Sequence, residues 1–167
     1  MIEVSIIKNS NMNCCAFDAE QSSEPMAECC GTCEGQGRPV SRKTVLLMLK
    51  PHLLEQALTG TFGFCAAREC PTVYFEEHGS RTFAESDLRV SVGVKANTAP
   101  IPLCYCFGFD ESLVRDEISQ TGSTTIPARV SRLIREGLCA CEARNPSGAC
   151  CLGEVNKAVK RIVRRLK

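Results

Sequence analysis

Six of the thirteen cysteines in this chain of 167 residues fall in one frame near its C-terminal end. Cys104-Tyr-Cys106 is followed after 32 residues by Cys139-Ala-Cys141, and after eight more by Cys150-Cys151. Thiolates are the donors that hold iron–sulfur clusters, and a [2Fe–2S] cluster takes four of them, two on each iron. The frame matches neither the plant-type C-x4-C-x2-C nor the bacterial C-x2-C-x2-C-x3-C arrangement. It is a different class, C-x-C-x32-C with a fourth ligand downstream. The expected cluster ligands are Cys104, Cys106, Cys139 and Cys150, with Cys141 and Cys151 open as alternatives for the fourth position. Spacing alone also permits a second zinc site on the same cysteines. Gly108 and Gly148 would let backbone N–H groups approach the sulfurs.

A second frame lies upstream: Cys30-x2-Cys33, a gap of 31 residues, then Cys65-x4-Cys70. Two cysteine-bearing turns of this kind supply the closed tetrahedron that a structural Zn2+ requires. The expected zinc ligands are therefore Cys30, Cys33, Cys65 and Cys70, with Cys29 as an alternative to Cys30. The glycines after Cys33 make a turn whose N–H groups can favour the thiolate form.

These cysteines need elements to position them. Val40 to Leu58 reads as a short strand and a helix capped by Thr44, with Pro51 interrupting it. Thr72-Val-Tyr-Phe75 has strand character, and Leu88-Arg-Val-Ser-Val-Gly-Val94 alternates like a half-buried strand. Past the break at Ala96–Pro102, Asp110 is the expected N-cap of a helix from Glu111 to about Gln120. Pro127 belongs in the first turn of a further helix reaching Gly137, and Asn145-Pro-Ser-Gly148 is turn chemistry. The last segment has Leu152, Val155, Val159, Ile162 and Leu166 at helical spacing, opposite a basic face.

The expected fold class is thus α+β: a small β-rich zinc-binding unit with one helix, then a helix-turn-helix [2Fe–2S] unit and a basic C-terminal helix. The expected boundaries are 1–28 for a flexible polar leader, 29–98, 99–153 and 154–167. Cys14-Cys15 lies in the leader as exposed thiols without an assigned role.

Composition narrows the class. The hydrophobic fraction of 44% counts cysteine, tryptophan is absent, and aromatic residues make up only 5%. Small, core-poor units depend on metals or disulfides. The N-terminus lacks the basic and apolar regions of a secretory signal, and no run is apolar enough to span a bilayer. A cytoplasmic, reducing location with metal-bound thiolates is expected, in keeping with the odd cysteine count. The net charge is only +1, yet Lys157, Lys160, Arg161, Arg164, Arg165 and Lys167 crowd the last eleven residues.

Four blocks resemble the N-terminal module of CopZ-type copper chaperones: Cys30-x2-Cys33-x-Gly-x-Gly-x-Pro-Val, Phe64-Cys65-x4-Cys70-x2-Val-Tyr-Phe75, Cys104-Tyr-Cys106-Phe-Gly-Phe109 and Cys139-x-Cys141-x3-Asn-Pro-Ser-Gly148-x-Cys150-Cys151-Leu. The likeness runs from about residue 30 to 153. It implies one zinc and one [2Fe–2S] cluster, with a cluster half similar to bacterioferritin-associated ferredoxin. It further implies that Cys104, Cys106 and Cys139 ligate iron, with Cys150 or Cys151 as the fourth ligand and Cys141 as the alternative. The full chaperones add a heavy-metal domain with its own Cys-x-x-Cys copper site. The sequence ends at Lys167 on a basic segment instead, so no dedicated copper domain is expected.

The first functional expectation is an electron-transfer module associated with copper handling, which reduces a metal ion before its transfer. Its partners would be a redox or metal-trafficking protein and the copper ion. The alternative is a metal-binding or sensing protein without electron transfer, motivated by five thiols beyond the eight that two centres require. Nucleic-acid binding through the basic helix is not favoured, since such a face is more often solvated or docked on an acidic protein. Nothing points to a conventional catalytic site: His52 and His78 stand in ordinary contexts, and no phosphate-binding glycine loop is present.

Overall fold

The fold is α+β, and among the described residues the two larger hydrophobic cores lie one in each half. The structure, a computed structural model, describes residues 28–165. Most of the expected leader, with Cys14-Cys15, lies outside the described residues.

The first half is a four-stranded antiparallel sheet in the order β1 (Arg38–Val40), β2 (Phe62–Phe64), β3 (Thr72–Glu76), β4 (Thr82–Ala84). Thr72, Val73, Tyr74 and Phe75 of β3 are all buried, so this strand is covered on both faces and carries the bulky, β-favouring residues such a position demands. Phe75 pairs with Gly63 across the β2–β3 ladder. A Cβ at Gly63 would sit 2.2 Å from the Phe75 ring, and one at Gly37 would sit 2.3 Å from it. Two glycines therefore make room for one aromatic ring, which packs with Cys30, Cys65 and Cys70. On the opposite side Val45, Met48, Leu49, Phe62, Phe64, Tyr74 and Phe83 form the larger core of this half.

Helix α1 (Arg42–Met48) is capped by Ser41, whose Oγ accepts from the Thr44 N–H at 3.1 Å. Thr44, the cap expected from the sequence, instead lies inside the helix and is buried. Pro51 does interrupt the segment. Lys50 is held extended before it, and a 3-10 turn over Pro51–Ala57 follows. The expected strand at Leu88–Val94 does not form. Only Leu88 bridges, to Leu49; the Glu85 carboxylate accepts from the Val92 N–H at 2.9 Å, and Lys95 and Ala96 turn back onto the Val92 carbonyl. The carboxylate and the turn take the backbone partners that a neighbouring strand would have needed.

In the second half β5 (Pro102–Cys104) and β6 (Phe109–Asp110) form a hairpin. Gly108 occupies its turn at φ +69°, a conformation costly for residues with a side chain. Asp110 caps α2 (Glu111–Thr121), accepting from the Leu113 N–H at 2.9 Å. Helix α3 (Ile126–Arg135) starts with Pro127 in its first turn. A short α4 (Cys141–Arg144) leads to the Asn145 turn, where Oδ1 accepts from the Ser147 N–H and Nδ2 donates to the Ala149 carbonyl. Helix α5 (Leu152–Arg165) then buries Val155, Ala158 and Ile162 against Val114, Ile118, Val130 and Ile134. The basic C-terminal segment is thus one wall of the second core.

Two of the polar contacts between the halves are short and buried or half-buried. Thr44 Oγ1 donates to the Glu142 carbonyl at 2.7 Å, tying α1 to α4. The buried Tyr74 hydroxyl donates to the Pro146 carbonyl, also at 2.7 Å. Replacing Tyr74 by phenylalanine strands that carbonyl without a donor. The expected cost is about 1–3 kcal/mol, read as a melting temperature roughly 3–10 °C lower. An unchanged melting curve would show that water replaces the hydroxyl.

Candidate metal centres

Cys30 and Cys33 sit in the turn before β1, closed by the Cys30 N–H on the Gly35 carbonyl (2.9 Å) and the Glu34 N–H on the Cys30 carbonyl (2.7 Å). Cys65 follows β2, and Cys70 ends the loop that leads into β3. The four sulfurs all lie within 4.8 Å of one another. Cys30 Sγ is 3.9 Å from Cys70 Sγ, and Cys33 Sγ is 3.6 Å from Cys65 Sγ. Zinc–sulfur bonds of ~2.3 Å in a tetrahedron place sulfurs about 3.8 Å apart. Cys30, Cys65 and Cys70 are buried, while Cys33 is exposed.

Backbone amides aim at these sulfurs. Burial works against ionisation of Cys30, but the N–H groups of Thr32 and Cys33, together with hydrogen bonds to the Cys65 and Cys33 thiols, bring it down to about 7. Burial pushes Cys65 up to about 12 and raises Cys70, although the amides of Ala67 and Thr72 oppose it. An incoming cation would displace those protons. Cys29 is exposed and lies outside the four-sulfur group. Neither histidine belongs to it: His52 is exposed, and His78 Nδ1 pairs with Glu28 at 2.5 Å.

The downstream cysteines are arranged differently. Cys104 ends β5, Cys106 lies in the hairpin turn, Cys141 opens α4, and Cys151 immediately precedes α5. Their sulfurs form two close pairs, Cys104–Cys151 at 3.1 Å and Cys106–Cys141 at 3.7 Å. A hydrogen bond from the Cys151 thiol brings Cys104 down to about 7. The same thiol is the main reason that Cys141 falls to about 5. Cys151 is correspondingly held well above the usual thiol range by its bonds to Cys104 and Cys141, and by burial. Burial raises Cys106 to about 11, although the Ala140 N–H donates to its sulfur at 3.3 Å.

Of the four cluster ligands expected from the sequence, Cys104 and Cys106 lie in these pairs. Cys104 makes a close contact with Cys151, and Cys106 with Cys141. Cys150 is exposed and within hydrogen-bonding reach of Cys141, and the half-buried Cys139 packs on the second core.

Residues 27–89 match a family model described as the zinc binding domain of CopZ. The chain is also 30% identical over 144 residues to the copper chaperone CopZ of Archaeoglobus fulgidus, an alignment covering 80% of this chain and 67% of that protein. The chain belongs to the CopZ family. Its structure is similar to the X-ray structure of the A. fulgidus CopZ N-terminal domain, with a TM-score of 0.64 and 29% identity. That match covers 77% of this chain and 95% of the domain. The CopZ zinc-binding domain encompasses all four residues of the compact cysteine group.

The basic residues of this CopZ-family chain line one exposed side of α5: Lys157, Lys160, Arg161, Arg164 and Arg165. Arg161 is engaged by the buried Glu111 of α2, and Lys157 by Glu154 at 2.8 Å. Among the described residues, no helix is long and apolar enough to cross a membrane.

Proposed function

We propose that this chain is a metal-handling protein in which zinc steadies the first half and a [2Fe–2S] cluster in the second exchanges single electrons during copper handling. Zinc belongs with Cys30, Cys33, Cys65 and Cys70, a closed set that leaves no open position for catalysis. The cluster belongs with Cys104, Cys106, Cys141 and Cys151.

One observation carries the cluster reading. Among the described residues, Cys30, Cys33, Cys65 and Cys70 are the one group of three or more such donors whose ligand atoms converge within 4.8 Å. The downstream sulfurs instead form an extended chain, Cys104 to Cys151 at 3.1 Å, Cys151 to Cys141, and Cys141 to Cys106 at 3.7 Å. An extended set of four thiols suits two irons, whereas a single zinc would gather all four at one centre. Bound there, the cluster supplies reversible one-electron chemistry. The chain's own residues bury it, direct amides of Cys106, Phe107, Ala140 and Cys151 at its sulfurs, and commit four ligands to it.

Copper enters as cargo, by kinship with the A. fulgidus copper chaperone. A copper(II) ion accepting one electron from the reduced cluster would become copper(I), and a redox partner protein would supply a fresh electron to the oxidised cluster. Anaerobically isolated protein should contain about two irons and two sulfides beside one zinc, absorb visibly, and give an EPR signal on one-electron reduction. Two zincs and no sulfide would overturn the cluster reading and leave the zinc half standing. A cluster that stays reduced on exposure to copper(II) would remove the electron-transfer role and favour metal binding or sensing.

A further inference from the structure

Lys95 is only 5% exposed, an unusual position for a lysine. Its Nζ donates to the Ala67 carbonyl at 2.6 Å and to the Cys70 carbonyl at 2.8 Å, both in the loop carrying Cys65 and Cys70. Arg68 reaches back from that loop to the Ala96 carbonyl at 3.3 Å and to Asn97 Oδ1 at 3.0 Å. Residues 95–97 are thereby stitched to the second zinc turn. Among the described residues, no carboxylate forms an ion pair with Lys95. Carbonyl dipoles orient an ammonium group but do not neutralise it, and burying an unpaired charge is expensive.

The sulfurs of Cys65 and Cys70, carried on the loop that Lys95 binds, offer the missing anion. Zinc with four thiolates carries a formal excess of two negative charges, held here in a largely buried turn. We infer that Lys95 is the internal counter-ion of the zinc–thiolate centre, lowering the donor strength of its sulfurs and strengthening retention of the metal. The attraction between Lys95 and the Cys65 thiolate agrees with that geometry. The inference rests on the zinc reading and adds a residue outside the ligand set. It also links the two halves, because Lys95 lies on the segment that runs into β5 and Cys104.

The test compares wild type with Lys95→Met and Lys95→Arg, each loaded with zinc or with cobalt(II) as a spectroscopic substitute. Competition with a chromophoric chelator should show zinc held about 10–100-fold more weakly in K95M, the usual effect of removing a partner behind the ligands. The thiolate-to-cobalt charge-transfer band should move to lower energy in K95M, because the lost cation had stabilised the sulfur electrons. Alkylation of the metal-bound thiolates should accelerate. K95R, which keeps the charge, should return the band towards its wild-type energy. An unmoved band in K95M, with or without weaker zinc binding, would reduce Lys95 to a tie for two carbonyls and overturn the inference. Should K95M fail to fold, K95R against Lys95→Gln decides by the same band. Wild type that takes up neither metal on these cysteines would instead overturn the zinc reading itself.

Discussion

Cys65→Ser is expected to empty the zinc centre and unfold the first half. Cys65 is 1% exposed, its N–H donates to the Val73 carbonyl at 2.9 Å, and its side chain packs with Cys30, Cys70 and Phe75. The strands it joins are only three and five residues long, too short to hold a sheet by pairing alone. Structural zinc contributes folding free energy directly, and small zinc units without metal are unfolded. The expected loss exceeds about 4 kcal/mol, so the melting temperature should fall by roughly 10 °C or more. Zinc content should drop from one per chain to near zero. A variant that keeps both its zinc and its melting temperature would move the metal elsewhere. The exposed Cys33 is the milder position, and Cys33→Ser should weaken zinc binding while disturbing the core less.

The second large effect separates the downstream cysteines. Serine at 104, 106, 141 or 151 should remove the visible chromophore and most of the iron, since each leaves one iron a thiolate short. Serine at 139 or 150 should retain about two irons per chain, with at most a shifted spectrum. The expectation follows from the close pairs, Cys104 with Cys151 and Cys106 with Cys141, and from the amides aimed at Cys104, Cys106 and Cys141. Metal and sulfide analysis of the six variants reads it directly. Iron retained in Cys141→Ser and lost in Cys139→Ser would reverse the assignment.

The cysteine frames were visible because ligand spacing is a local property. C-x2-C and C-x4-C mark turns, and the structure brings those four sulfurs within 4.8 Å of one another. Asp110, Pro127 and Pro51 were legible for the same reason, since caps and prolines act on the adjacent turn. The choice within Cys139/Cys141 and Cys150/Cys151 was not local. Neighbouring thiols share the same chain surroundings, and packing buries Cys151 while leaving Cys150 exposed. One signal was nevertheless available. Cys151, Val155, Ala158 and Ile162 share one helical stripe, and Cys150 falls off it. Thr44 looked like a cap because it precedes an apolar run, but Ser41 three residues earlier fits the backbone and frees Thr44 for Glu142. Leu88–Val94 alternated convincingly, yet Glu85 and the turn at Val92 claim its polar groups. Tyr74 and Lys95 gave no sign, because their partners lie 72 and 25 residues away along the chain.

The interlock of the two halves also sets an order of assembly. The zinc sulfurs span only residues 30 to 70, so that centre can close while the rest of the chain is still being synthesised. The downstream pairs need Cys151 to meet Cys104, a separation of 47 residues, and α4 docks on an α1 that lies about a hundred residues earlier. By then the finished first half can act as a template, with Thr44 and Tyr74 already in place to receive Glu142 and Pro146. In that order zinc can bind early, and the second set of sulfurs can meet only after Cys151 has been synthesised. A cell short of zinc would lose the scaffold on which the later centre is built, even with iron in ample supply.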